Sequence, residues 1–154
     1  MILRSRHRAS SPSAIAPLPG EHFVLYDADC GVCRWVMARV LAWDTRRALR
    51  PVALQDPVAP GLLPGMSDEE RAASWHLVTP HGERYSAGRA VAPLLRLLPY
   101  GRPLAAVASA AQPLTDRAYA FAAARRGVLG RLVGEGAKRR AAERIRERTA
   151  AQRR

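Results

Sequence analysis

Aromatic residues are scarce in this chain of 154 residues, at 6%. A core of ordinary size must therefore be built mainly from Ala, Leu and Val. Only two cysteines occur, Cys30 and Cys33, which excludes a disulfide-scaffolded mini-domain. No apolar run approaches the roughly 20 residues needed to cross a bilayer, so no membrane span is expected. Lysine is almost missing too: Lys138 is the only one, against 24 arginines.

What the chain has in excess is positive charge, +12 at pH 7. Its distribution matters more than its size. Residues 1–20 carry Arg4, Arg6 and Arg8 and no acid. Residues 125–154 carry 11 basic residues against Glu135, Glu143 and Glu147. The stretch between is nearly neutral, so the excess belongs to the two ends. Arginine so dominant over lysine, in an alanine-rich chain, points to coding bias rather than selection for phosphate contacts.

Residues 1–20 read as a disordered basic leader, rich in Arg, Ser and Pro and without a periodic face. Ala14-Ile15-Ala16-Pro17-Leu18 is too short and interrupted for a secretory signal, which places the chain in the cytosol. The body, 21–133, opens on Phe23-Val24-Leu25-Tyr26, a buried-strand pattern. Val32, Trp35, Val36, Val40 and Trp43 then recur at helical spacing. Leu49 to Leu54 reads as a second strand, with Pro51 placing it at an edge. Residues 56–66 form a loop, and Ser67-Asp68-Glu69-Glu70 matches a capping box opening a short helix. Trp75–Thr79, the turn Pro80-His81-Gly82-Glu83 and Arg84-Tyr85-Ser86 form a hairpin. Helices are expected over 90–98, 103–111 and 114–125. The last stretch, 137–152, has Ile145 as its only large apolar residue. It is expected to bury no face, leaving 134–154 a basic tail that is helical or disordered.

A strand, a crossover helix and a second strand form a parallel right-handed unit. The hairpin adds antiparallel edges. The fold class is α/β: a small mixed sheet flanked by helices, with extra helices toward the C-terminus.

Cys30-Gly31-Val32-Cys33 lies where the first strand hands over to the first helix. Residues i and i+3 of a first helical turn share a face, and a Cα separation of about 5–6 Å there suits a disulfide. The helix start offers unpaired N–H groups and positive potential to the first sulfur, favouring its thiolate. Arg34 adds a nearby cation. Cys30 is thus assigned as the attacking sulfur and Cys33 as the resolving one. Negative charge from Asp27 and Asp29 opposes ionisation, unless Asp29 caps the helix and Asp27 relays a proton to the leaving Cys33.

Other chemistries remain open. Two cysteines can be buried small hydrophobes without a role. His76 and His81, spaced H-x₄-H, could join the cysteines at zinc, although 42 residues separate Cys33 from His76. His76 could instead approach the cysteines as a thiolate partner. Asp27-Ala28-Asp29 after an apolar strand is how aspartate-nucleophile phosphatases begin. Arg139, Arg140, Arg144, Arg146 and Arg148 could touch phosphates non-specifically, although no aromatics interleave to stack bases.

Tyr26-Asp27-Ala28-Asp29-Cys30-Gly31-Val32-Cys33 resembles the Y-D-G-x-C-x-x-C opening of the DCC-type thiol-disulfide oxidoreductase-like family. The Leu49–Gln55 strand, Trp75–Thr79 with Pro80-His81-Gly82, Tyr85-Ser86-Ala87-Gly88-Arg89-Ala90, and Tyr119 followed by Arg125-Arg126 are similar to its later blocks. The resemblance spans about residues 22–133. It implies a thioredoxin-like fold and dithiol–disulfide exchange by Cys30 and Cys33, with Tyr26, Gly31 and Val32 as motif neighbours; no bound cofactor is expected for such exchange. Family membership implies little about substrates; a protein or small-molecule disulfide is expected, with the chain running as a protein-disulfide reductase or redox sensor in a reducing cytosol and with an unidentified electron donor. Ala28 stands where the family has Gly. Ser74-Trp75-His76 stands where thioredoxins carry a cis-proline facing the site, so Trp75 or His76 is expected to take that place.

Overall fold

The computed structural model describes residues 21–152. The leader expected at 1–20 lies outside them. The apolar run near the start becomes β1 (His22–Tyr26), an interior strand of a four-stranded sheet ordered β2-β1-β3-β4. Both faces of β1 are covered from Phe23 to Tyr26, which is why that run is continuously apolar rather than alternating. Val24 and Tyr26 pack on one side with Met37, Leu41, Leu77 and Leu94. Phe23 and Leu25 pack on the other with Ala59, Leu63 and Val78. Each such side chain removed from water contributes about 1.5–3 kcal/mol.

Helix α1 (Gly31–Trp43) buries Met37, Ala38 and Leu41 and crosses over to β2 (Leu49–Ala53), which runs parallel to β1. Pro51 sits in β2 at the sheet edge, where a missing N–H is tolerated. The segment expected as a plain loop at 56–66 contains one helical turn, α2 (Ala59–Leu62), with Pro60 in its first turn. Its Ala59 and the following Leu63 cover the second face of β1. Helix α3 (Asp68–Ala73) opens with the expected capping box, Ser67 and Glu70 bonding reciprocally. Strands β3 (His76–Val78) and β4 (Arg84–Ser86) form the antiparallel hairpin.

A 3₁₀ turn over Ala87–Ala90 leads into α4 (Val91–Leu97), and α5 (Arg102–Ala110) and α6 (Gln112–Ala124) follow. Pro113 lies inside the first turn of α6, where proline costs a helix nothing. A Cβ at Gly88 would stand 2.7 Å from the Asp116 Cα. Glycine there lets α6 close onto the 3₁₀ turn and brings Tyr119 over the sheet end.

Two further helices follow toward the C-terminus. Helix α7 (Arg126–Leu132) was not expected from the sequence. Helix α8 (Glu135–Ala151) corrects the expectation that the tail buries no face: Ala141 and Ile145 are buried against α1 and the main core. The docking is narrow in apolar area and is completed by polar groups. Arg148 pairs with the buried Asp44 at 3.0 Å and donates to the carbonyls of Leu41 at 2.9 Å and Asp44 at 3.0 Å. Asp44 in turn accepts the N–H groups of Ala48 and Leu49 at 3.1 and 3.0 Å. The arginine thus satisfies carbonyls left over at the end of α1. Among the described residues, no helix is long and apolar enough to cross a membrane.

Candidate active site at the Cys30–Cys33 turn

Strand β1 ends at Tyr26, and the next residues fold into a tight turn that delivers Cys30 to the mouth of α1. Cys30 is the helix cap itself, with extended backbone (φ −85, ψ 112). Its Sγ accepts the backbone N–H of Cys33 at 3.3 Å. The sulfurs are joined as a disulfide, with Cα atoms 5.2 Å apart. Both cysteines are half-buried, and the first turn of α1 contains no acidic residue. Gly31 and Val32 complete that turn. A Cβ at Gly31 would meet Lys138 Cε at 3.3 Å, so the stem of the only lysine crosses the residue next to Cys30. Lys138 is held by Glu135 at 2.6 Å.

The expectation that Asp29 caps the helix is corrected, since Cys30 takes that role. Asp29 is bound elsewhere: Gln55 Nε2 donates to Asp27 Oδ1 at 2.9 Å and to Asp29 Oδ2 at 3.1 Å. Gln55 Oε1 accepts the N–H of Ala28 at 3.1 Å, and Asp27 Oδ1 also accepts the N–H of Asp29 at 3.0 Å. Gln55 therefore clamps both carboxylates in the turn. Sequence reasoning missed this residue as a site member, although a signal existed. Parallel pairing sets Tyr26 against Ala53, so the residues just beyond β2 must lie beside those just beyond β1.

Arg34 makes the first helical bond, its N–H donating to the Cys30 carbonyl at 3.0 Å. Its guanidinium Nε is buried without a hydrogen-bond partner among the described residues. Burial pushes the Tyr26 hydroxyl pKa up, and the nearby Arg34 charge opposes that rise.

His76 does not approach the cysteines. It stands opposite Leu25 across the β1–β3 pair, and opposed residues share a face. Leu25 belongs to the α2 side of the sheet, away from α1. Both ring nitrogens are engaged: Nε2 with the Arg71 carbonyl at 3.0 Å and Nδ1 with Ser86 Oγ at 2.7 Å. A carbonyl only accepts, so Nε2 carries the proton and Ser86 donates to Nδ1. Burial holds the His76 pKa below its ordinary value. The zinc alternative thereby loses the ligands it required. The cysteines bind each other, His76 is fully engaged, and no cluster of three metal-ligating side chains occurs among the described residues.

Trp75 is brought to the site. With Cys33, Asp27, Tyr26, Val36, Tyr119 and Arg126 it lines a cavity of about 340 Å³ beside the disulfide. Its ring stacks on Tyr119 with centroids 6.5 Å apart. Its backbone N–H donates to the Tyr119 hydroxyl at 3.1 Å, and its indole N–H to the Ala87 carbonyl at 3.1 Å. Burial raises the Tyr119 pKa, against the hydrogen bond from Trp75 and the charge of Arg126.

A sulfur capping a helix, its mate one turn on, and an open cavity beside them form an arrangement suited to thiol–disulfide exchange. Searches of curated proteins and of solved structures find no match to the chain. Among the described residues, the mixed four-stranded sheet with eight α-helices agrees with a thioredoxin-like fold. A family model matches residues 24–132, most of the chain, and the protein belongs to the DCC1-like thiol-disulfide oxidoreductase family.

Proposed function

We propose that Cys30 and Cys33 form a catalytic dithiol that reduces disulfides in the cytosol. The observation carrying this reading is the Cys33 N–H aimed at Cys30 Sγ across 3.3 Å at the helix mouth. When the pair is reduced, that donor and the helix dipole remain in place to stabilise a thiolate on Cys30. The thiolate attacks one sulfur of the substrate, whose other sulfur leaves and takes a proton. Cys33, deprotonated, then attacks Cys30, releasing the second substrate thiol and restoring the Cys30–Cys33 disulfide. Two electrons pass from the cysteine pair to the substrate, and a thiol donor returns them.

Asp27 lines the same cavity as Cys33, which supports it as the group that takes the Cys33 proton. Tyr26, Gly31, Val32 and Trp75 shape the turn and its cavity wall, and Arg34 contributes positive charge. His76 has a structural part only, tying β3 to β4 and α3.

The test is single-turnover reduction of bis(2-hydroxyethyl) disulfide by the pre-reduced full chain. Wild type turns over once, Cys30→Ser is inert, and Cys33→Ser stops at a mixed disulfide visible by mass. Wild-type rates in Cys30→Ser would overturn the assignment.

A further inference from the structure

The cavity beside Cys33 measures about 340 Å³, within the roughly 300–1,000 Å³ typical of small-molecule pockets. Its walls come from separate elements: Cys33 and Val36 on α1, Trp75 before β3, Tyr119 on α6 and Arg126 on α7. The lining is almost wholly apolar. Among the described residues that form it, Arg126 is the only cation and Asp27 the only anion. These two occupy different walls. Asp27 is clamped by Gln55 at the redox turn, whereas Arg126 lies against α3, donating to the Ala72 carbonyl at 3.4 Å.

An extended polypeptide held as an added strand needs free backbone donors and acceptors at the rim. Trp75 supplies the backbone at the entrance to β3, and both its groups are consumed. Its N–H goes to the Tyr119 hydroxyl at 3.1 Å. Its carbonyl accepts the Ala87 N–H at 3.2 Å. What this entrance still offers is apolar volume, a disulfide at one wall and an exposed guanidinium at another.

Resting on the exchange reading above, we infer that this cavity is the substrate pocket and takes a small aliphatic disulfide bearing a carboxylate at its far end. The alkyl chain fills the apolar volume and the carboxylate meets Arg126. The substrate disulfide lies at the redox turn, where Cys33 lines the cavity and the attacking sulfur of Cys30 adjoins it, the two being bonded in the oxidised state. Electrons and protons move as in the exchange already described.

The test uses the full chain, reduced with dithiothreitol and freed of it. Single-turnover rates are measured with 4,4′-dithiodibutyrate, bis(2-hydroxyethyl) disulfide and insulin, each divided by its rate with free dithiothreitol. The expected result is that 4,4′-dithiodibutyrate outpaces bis(2-hydroxyethyl) disulfide by about tenfold. Octanoate, which has no sulfur, slows the first reaction only. Ala123 also lines the cavity; Ala123→Phe, which fills it, brings the ratio close to one, and Arg126→Gln lowers it severalfold. A ratio near one in wild type, no effect of octanoate, or preference for insulin would overturn the pocket assignment. So would an unchanged ratio in a folded Ala123→Phe protein. If Ala123→Phe does not fold, octanoate competition on wild type decides. Wild type that reduces none of the three disulfides would instead refute the exchange reading itself.

Discussion

The backbone N–H of Cys33 points at the sulfur of Cys30, 3.3 Å away. The sulfur therefore occupies the place that Ser, Thr, Asp or Asn takes at most helix starts. Two carboxylates stand within three residues of it, but Gln55 holds both through one amide nitrogen. The favourable donor is on the helix side of the sulfur, and the unfavourable charges are tied back toward the end of β2.

Gln55→Glu reverses that arrangement. It replaces the shared donor with a third carboxylate, and like charge near a thiol disfavours its ionisation. The pH profile of Cys30 alkylation in the reduced protein is expected to move to higher pH. An unmoved profile would show that the clamp does not govern the sulfur's charge environment.

Arg148→Ala leaves the Asp44 carboxylate buried with two backbone N–H partners but no cation. Breaking one side of such a pair is expected to cost about 3 kcal/mol, read as a lower urea midpoint. The loss should fall largely on the docking of α8, seen as faster amide exchange over 135–151. Loss below about 0.5 kcal/mol, the scale of an exposed pair, would contradict the docking described.

Tyr119→Phe removes the acceptor of the Trp75 N–H. A part-buried donor left without its partner is expected to cost about 1 kcal/mol, with altered Trp fluorescence as the accompanying signal. Unchanged stability and fluorescence would show that water replaces the hydroxyl without loss.

His76 gives a pH dependence with a definite sign. Its pKa in the fold is lowered by burial, so between that value and the ordinary one near 6.5 the unfolded chain binds more protons. Its contribution is complete above about pH 6.5 and is lost as the pH falls below it. Urea midpoints at pH 7.5 and pH 5 should therefore differ more in wild type than in His76→Asn. Equal differences in the two proteins would contradict the buried neutral imidazole.

Much of the fold was legible because its signals are local. The apolar run at 23–26, the edge-marking Pro51 and the capping box at Ser67 each report a neighbourhood of a few residues. The elements misjudged, α2, α7 and α8, carry weaker local signals. Helix α8 docks through Ala141, Ile145 and a guanidinium reaching Asp44, a combination that leaves no wide apolar stripe to read. Helix α7 carries Gly127 and Gly130, which weaken its helical pattern. At the site, the cysteine spacing told where the chemistry lies. The face of β3 that His76 occupies depends on strand register, and a register is set by tertiary pairing. Gln55 escaped for a similar reason, since its role depends on where β2 ends beside β1.

In the exchange proposed above, the helix mouth makes Cys30 an easily ionised thiol. The direct measurement is ultraviolet titration of the thiolate in Cys33→Ser, where Cys30 is the sole cysteine. The expected midpoint lies clearly below the ordinary thiol value of about 8.5. A midpoint at or above that value would contradict the account.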